Sequence, residues 1–298
     1  MIDSSTLRLA DAFGCGVAGN FAGHLEQAGE AADFVRVAPV TPEAPRAVFP
    51  WYIPSTNGGT PEFLHVFPLA SDRLILPAGD AVNLQIEPEA GAVAELTYDD
   101  AGFVTAIAPR YLGAFNDCSI RREGAVKISH KKNWGPCSKG LAARLFAIDG
   151  IEVPGPTEHL RLASFLCRDG ETHEYGIDSP IREYSYYGER LIGWMIERLR
   201  NQRDSADTPI ENVGDYLIAC ARPRWVVIGL GATRYTALGE STYLEVGDDS
   251  VVVLYDETRH APSDVAAAVR EGREDRLDRA SVLRQRVVAD GGPSPVPG

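Results

Sequence analysis

From Phe63 onward the apolar residues come in short runs broken by turn formers: 63–68, 73–76, 82–86, 92–96, 104–107, 151–153 and 160–167. Several of these runs alternate in polarity, the period-two signature of half-buried strands. One clear helix follows. Leu191, Ile192, Met195, Ile196 and Leu199 recur at helical spacing, with Glu189, Arg190, Glu197 and Arg198 on the other faces. More strand-like text comes next, at 216–220, 225–228, 243–246 and 251–255, the last two joined by a Gly247-Asp248-Asp249 turn. After His260 the pattern predicts a charged helix capped by Ser263 and running to about Val288, then a tail over 291–298 of small residues and prolines. Many strands, few helices and no regular strand–helix alternation predict an α+β fold.

The first fifty residues are different. A glycine-rich opening leads to a short helix over 22–29 and a surface run through Pro39, Pro42, Pro45 and Pro50. Residues 14–19 spell G-x-G-x-x-G, the dinucleotide fingerprint. That motif requires an acidic residue at the end of the next strand. The run Phe34-Val35-Arg36-Val37 ends instead in Ala38-Pro39, so a tight glycine turn is the better account.

Composition narrows the function classes. The chain has 298 residues, 29 basic against 42 acidic, and a formal charge of −13, which excludes a nucleic-acid clamp driven by phosphate neutralisation. Five scattered cysteines without a C-x-x-C pair predict neither a disulfide framework nor a structural zinc site, and fit a reducing compartment. The opening, interrupted by Arg8 and Asp11, has no signal-peptide core, and the run 225–232 is too short to span a membrane. The expectation is a soluble cytoplasmic protein.

The sharpest chemical signal is Gln85-Ile86-Glu87-Pro88-Glu89. Residues i and i+2 of a strand share a face, so Glu87 and Glu89 would point the same way. Pro88 suggests an edge strand, and a solvated acidic edge is the plainer reading of the pair. Asp117, directly after the apolar run 111–115, changes the balance: it converges on the pair if the two strands are neighbours. Three carboxylates with no histidine or thiolate make an all-oxygen site for Mg2+, Mn2+ or Ca2+.

These residues resemble the metal-binding signature of the fumarylacetoacetate hydrolase superfamily, in which an E-x-E pair and an N-D-[VMI]-[ST]-x-R segment, here Asn116 to Arg121, supply three carboxylate ligands. Upstream, Asn20-Phe21-Ala22-Gly23-His24 is similar to the family's N-[YF]-x-x-H. Downstream, Lys131, Cys137 and Gly140 keep the spacing of its K-S-F-D-x-x-C-P-x-G run. The stretch 229–233 is similar to its T-G-T-P loop, and 244–248 to the L-x-P-G-D turn that follows. The resemblance runs from about residue 13 to 255. It implies a mixed β-roll, a homodimer, and a 2-oxo acid or β-diketo acid substrate whose enolate is stabilised by Mg2+, Mn2+ or Ca2+ on Glu87, Glu89 and Asp117. It implies catalytic roles for His24 and Lys131, and substrate contacts from Asn20 and Thr233. It divides the chain into a lid-bearing segment (1–62), a metal-binding β-roll (63–260) and a C-terminal helix with its tail (261–298).

Three departures stand out. The family's lid glutamate, three residues after the histidine, is Gln27 here, leaving Glu26 and Glu30 as the nearby acids, with Glu26 taken as the catalytic one. The family's N-G-E-x-R-Q element reads Asp169-Gly170-Glu171-Thr172-His173-Glu174, so His173 and Glu174 replace an arginine and an amide at a substrate-contacting place. The proline and threonine of T-G-T-P are reordered around Ala232 and Thr233. Hydrolytic C–C cleavage of an acylpyruvate-type substrate is the leading expectation. Decarboxylation, tautomerisation or dehydration without an activated water, or a catalytically silent ligand-binding relative, are the alternatives.

Overall fold

The structure is a computed structural model describing residues 1–34, 37, 41–55, 58–79, 82–121, 126–205 and 208–291. Val35, Arg36, Ala38 and Pro39 of the N-terminal reading, and residues 292–298 of the tail, lie outside the described residues. The fold is α+β, built on mixed sheets.

The larger sheet runs in the order Ile2–Asp3, Arg144–Ala147, Val104–Asn116, Pro88–Tyr98, Trp225–Gly229, Phe13–Ala18, Ala47–Tyr52. Most neighbours are antiparallel, but Trp225–Gly229 runs parallel to Phe13–Ala18. A second, five-stranded sheet has the order Glu171–Pro180, Leu160–Arg168, Asp249–Asp256, Ala280–Ala289, Arg73–Leu76. The two sheets are tied by polar as well as apolar contacts. Ser281 Oγ accepts from the Ala114 N–H at 3.0 Å, and Asn116 Nδ2 donates to Gln285 Oε1 at 3.1 Å. The main core, with Phe13, Ile86, Leu112, Tyr175, Leu191, Val252 and Leu283, is fully buried. The Gly188–Asn201 helix turns Leu191, Met195 and Leu199 into that core, as its spacing predicts.

Several elements differ from the sequence reading. Residues 14–18 form a strand, and only Gly19, at φ 71°, turns. Gly14 and Gly16 are required by close approach: a Cβ on them would fall 2.3 Å from the Trp51 ring and 2.4 Å from the Phe49 ring. The run at 63–68 opens as a 3-10 turn, Glu62–His65, behind Pro61, and 151–153 and 243–246 pair with no strand. Residues 216–219 belong to a helix, Val213–Ala219, whose cap Asn212 accepts from the Asp215 N–H. The C-terminal helix spans only Pro262–Arg270 with Ala261 as its cap, and Ala280–Ala289 is a strand. Ser281, Leu283, Gln285 and Val287 are all buried, a period of two that the surrounding charges mask in the sequence. Pro88 is not on an edge. It is the first residue of an interior strand, a position where its missing N–H breaks no ladder.

The proposed boundary at residue 62 separates segments that share a sheet, since Phe13–Ala18 pairs with both Trp225–Gly229 and Ala47–Tyr52. No helix among the described residues is long and apolar enough to cross a membrane.

Candidate metal centre

Register brings the carboxylates together. Pro88 pairs with Asn116 and Glu89 with Phe115 across the antiparallel Pro88–Tyr98 and Val104–Asn116 strands. Just beyond that ladder the Asp117 N–H donates to the Glu87 carbonyl at 3.0 Å, and the short Leu84–Gln85 and Ser119–Ile120 strands continue the pairing. Asn116 Oδ1 also accepts the Glu87 N–H at 3.1 Å. One oxygen each from Glu87, Glu89 and Asp117 can be chosen so that all lie within 4.8 Å of one another, and all three residues are buried. Glycines leave the room. A Cβ on Gly229 would sit 2.3 Å from Glu89 Oε2, the same oxygen that accepts the Gly231 N–H at 3.0 Å.

The surroundings are strongly cationic. Arg121 Nη2 lies 2.8 Å from Glu87 Oε1. Lys132 Nζ lies 2.6 Å from both Glu87 Oε2 and Asp117 Oδ2, and Lys139 pairs with Asp117 Oδ1. Burial alone would raise the Glu87 carboxyl, but Lys132 and Arg121 outweigh it and hold it well below the usual carboxylate range. Glu89 has no such contact. Burial, reinforced by the charges of Asp117 and Glu87, pushes it well above the usual carboxylate range. Burial likewise lowers Lys139, against the pull of Asp117, while Lys132 is raised because Asp117 and Glu87 overcome its burial.

The donor set suits a hard divalent cation: three buried carboxylates, with both Asp117 oxygens and Glu87 Oε1 lacking any hydrogen bond of regular geometry. Lys132 and Lys139, on the carboxylates of this cluster, are residues that sequence reasoning missed. A lysine run in a chain of charge −13 carries no mark of burial.

Other expected site residues are placed as follows. His24 is buried at the start of the His24–Gln27 helix, and its Nδ1 lies 2.9 Å from the Thr233 carbonyl. That contact makes Nδ1 the protonated nitrogen and leaves Nε2 as the acceptor. Burial pushes the His24 imidazole below its ordinary value, so it is neutral near pH 7. Thr233 therefore serves through its backbone. Asn20 is fully buried and commits its amide to backbone, with Nδ2 donating to the Tyr186 and Leu230 carbonyls and Oδ1 accepting the Tyr186 N–H. Glu26 is exposed and lines a surface cavity with Pro42 and Arg46, because i and i+2 of a helix point apart. Glu30 takes the inward place instead, with Oε1 2.6 Å from Arg121 Nη1 and 2.9 Å from Lys131 Nζ. His173 and Glu174 are exposed on Glu171–Pro180, the edge strand of the second sheet.

The covering segment is latched. Gln27 Nε2 donates to the Tyr235 carbonyl at 3.1 Å and Gln27 Oε1 accepts the Tyr235 N–H at 2.9 Å. Tyr235 Oη in turn donates to the Ile86 carbonyl at 2.9 Å, next to Glu87. Surface cavities of about 730, 580 and 290 Å3 are lined by other residues.

Comparison with known proteins gives one family and a set of solved structures. The model of a family described as "Family of unknown function (DUF5718)" matches residues 30–287. No curated protein matches the chain. Among solved structures, a Mycobacterium smegmatis protein provisionally assigned as HpcE is similar at 16% identity and a TM-score of 0.49, covering 94% of this chain and 76% of that one. The apo form of 2-keto-3-deoxy-D-arabinonate dehydratase gives 13% identity and 0.47, covering 94% and 74%. Maleylpyruvate hydrolase from Sphingobium sp. SYK-6, in complex with manganese(II) and pyruvate, gives 11% and 0.45, covering 93% and 70%.

Proposed function

Because this chain belongs to the DUF5718 family, whose description carries no function, we propose its activity from the site itself: a divalent-metal-dependent enzyme acting on a small 2-oxo acid or β-diketo acid. The observation that carries the reading is the meeting of Glu87, Glu89 and Asp117 in one buried cluster beside Arg121 and two lysines. Glu87, Glu89 and Asp117 would hold Mg2+ or Mn2+, which when bound supplies Lewis-acid polarisation of substrate oxygens.

The chain's own residues supply the rest. Arg121 and Lys131 present positive charge suited to a substrate carboxylate, with Glu30 as their counter-ion. Neutral His24, its tautomer set by the Thr233 carbonyl, keeps Nε2 free to take a proton from water or from the carbon beside the oxo group. Entry requires the Gln27–Tyr235 latch to open, and its closure excludes water.

Hydrolytic C–C cleavage remains the leading reaction. A second reading, decarboxylation or tautomerisation, is favoured by one feature. Gln27 is spent on backbone and Glu30 on two cations, so among the described residues no carboxylate is hydrogen-bonded to His24 to strengthen it as a base for water.

Purified protein should convert an acylpyruvate to pyruvate and a carboxylate only with Mg2+ or Mn2+ present, and Asp117→Asn should reduce turnover at least ~1000-fold while leaving the circular dichroism spectrum unchanged. Release of CO2 from oxaloacetate instead would select the second reading. No turnover of either substrate class with either metal would leave a silent ligand-binding relative. The proposal extends to a cytoplasmic homodimer, which light scattering would report at twice the 32.3 kDa chain mass.

A further inference from the structure

We propose that Lys132 is a built-in cation of this site, seated between Glu87 and Asp117 so that a divalent metal ion binds only by displacing its ammonium group. The inference rests on the reading that the carboxylate cluster holds a divalent cation, and concerns what that cation must overcome.

Lys132 Nζ lies 2.6 Å from Glu87 Oε2 and 2.6 Å from Asp117 Oδ2, and 3.4 Å from the Asp117 carbonyl. It therefore bridges two of the three carboxylates from the position of a shared counter-ion. The seat is constructed. The residue is 2% exposed, its ammonium stands 5.2 Å over the Phe49 ring, and that ring is pressed onto the strand where Gly16 gives it room. The next residue fixes the backbone, since Asn133 Nδ2 donates to the Trp51 carbonyl at 2.8 Å and the Val66 carbonyl at 3.0 Å.

Charge compensation around the seat is complete for two ligands. Each oxygen of Glu87 faces a cation, Arg121 or Lys132, and each oxygen of Asp117 faces Lys132 or Lys139. Among the described residues only Glu89 of the three meets no cationic side chain, its Oε2 held by the Gly231 N–H. An ammonium and a divalent ion that compete for the same oxygens repel one another inside a buried, low-dielectric site. Metal affinity is thus set by Lys132 as much as by the three acids.

The test is a Mn2+ titration of the full chain followed by electron paramagnetic resonance, comparing wild type with Lys132→Met. The variant should bind Mn2+ at least about tenfold more tightly, because a competing charge is gone while every carboxylate remains. Its metal-free form should melt below wild type, and Mn2+ should restore the loss. Equal or weaker Mn2+ binding by a folded Lys132→Met protein overturns the proposal while leaving the metal centre intact. Absence of Mn2+ binding by both proteins overturns the metal centre and this proposal together. Should Lys132→Met not fold alone, it is refolded with and without Mn2+. Recovery only with the metal supports the proposal, and any other result overturns it.

Discussion

Glu211 shows how much one side chain's surroundings decide. It is 2% exposed, its Oε1 accepts from Ser129 Oγ at 2.9 Å, and its Oε2 has no hydrogen-bond partner among the described residues. Burial pushes its carboxyl up to about 7. The native protein therefore holds that proton more tightly than the unfolded chain does, and stability falls as pH rises from about 4.5 through 7. Glu211→Gln cannot ionise. It should gain up to about 3 kcal/mol by urea unfolding at pH 8 and nothing at pH 4.5. An equal effect at both values would place the gain elsewhere. Such residues were not legible in the sequence, where Glu211 is one acid among 42 acidic positions. Lys132 and Lys139 were hidden in the same way. Glu87, Glu89 and Asp117 stood out because their spacing is tied to strand geometry, which local sequence does carry.

At the scale of elements, legibility followed the strength of the local period. Leu160–Arg168, Trp225–Gly229 and Gly188–Asn201 were readable because their apolar patterns are long or regular. Ala280–Ala289 was not, since its buried face includes Ser281 and Gln285, polar residues spent on tying the two sheets together. The short His24–Gln27 helix is an element with little stability of its own, one turn long and entered through Gly23 at φ 84°. Its position rests on the paired hydrogen bonds between Gln27 and Tyr235 together with the His24 contact to the Thr233 carbonyl. At roughly 1 kcal/mol each, their loss in Gln27→Ala should speed local opening about 10–30-fold. Hydrogen exchange of the amides from Leu25 to Glu30 should report this, with the Leu160–Arg168 strand unchanged. Unaltered exchange over 25–30 would show that the segment is held by Glu30 and its cations instead.

The whole molecule sums these charges into a stability profile of unusual sense. Glu87 and Glu30 are depressed, because Lys132 and Arg121 for the first, and Arg121 and Lys131 for the second, outweigh their burial. Their stabilisation is complete above about 4.5 and is lost as pH falls. Glu89 and Glu211 are raised, chiefly by burial, so each withdraws stability as pH climbs above about 4.5. His24, lowered by burial, costs stability only below its ordinary value of 6.5. Lys139, held below 10.5, acts in the opposite direction on the alkaline side. Between pH 6.5 and 8 the two raised carboxyls are thus left to dominate, and the formal charge of −13 adds repulsion of the same sign. Urea unfolding of the metal-free protein should show greatest stability between about pH 4.5 and 6.5, falling toward both pH 3 and pH 8. Glu211→Gln should flatten the alkaline limb in part, and Glu89, the carboxylate of the cluster with no cationic side chain beside it among the described residues, contributes to the remaining slope. A steady rise in stability from pH 5.5 to 8 would mean that Glu89 is ionised in the native protein, burial notwithstanding.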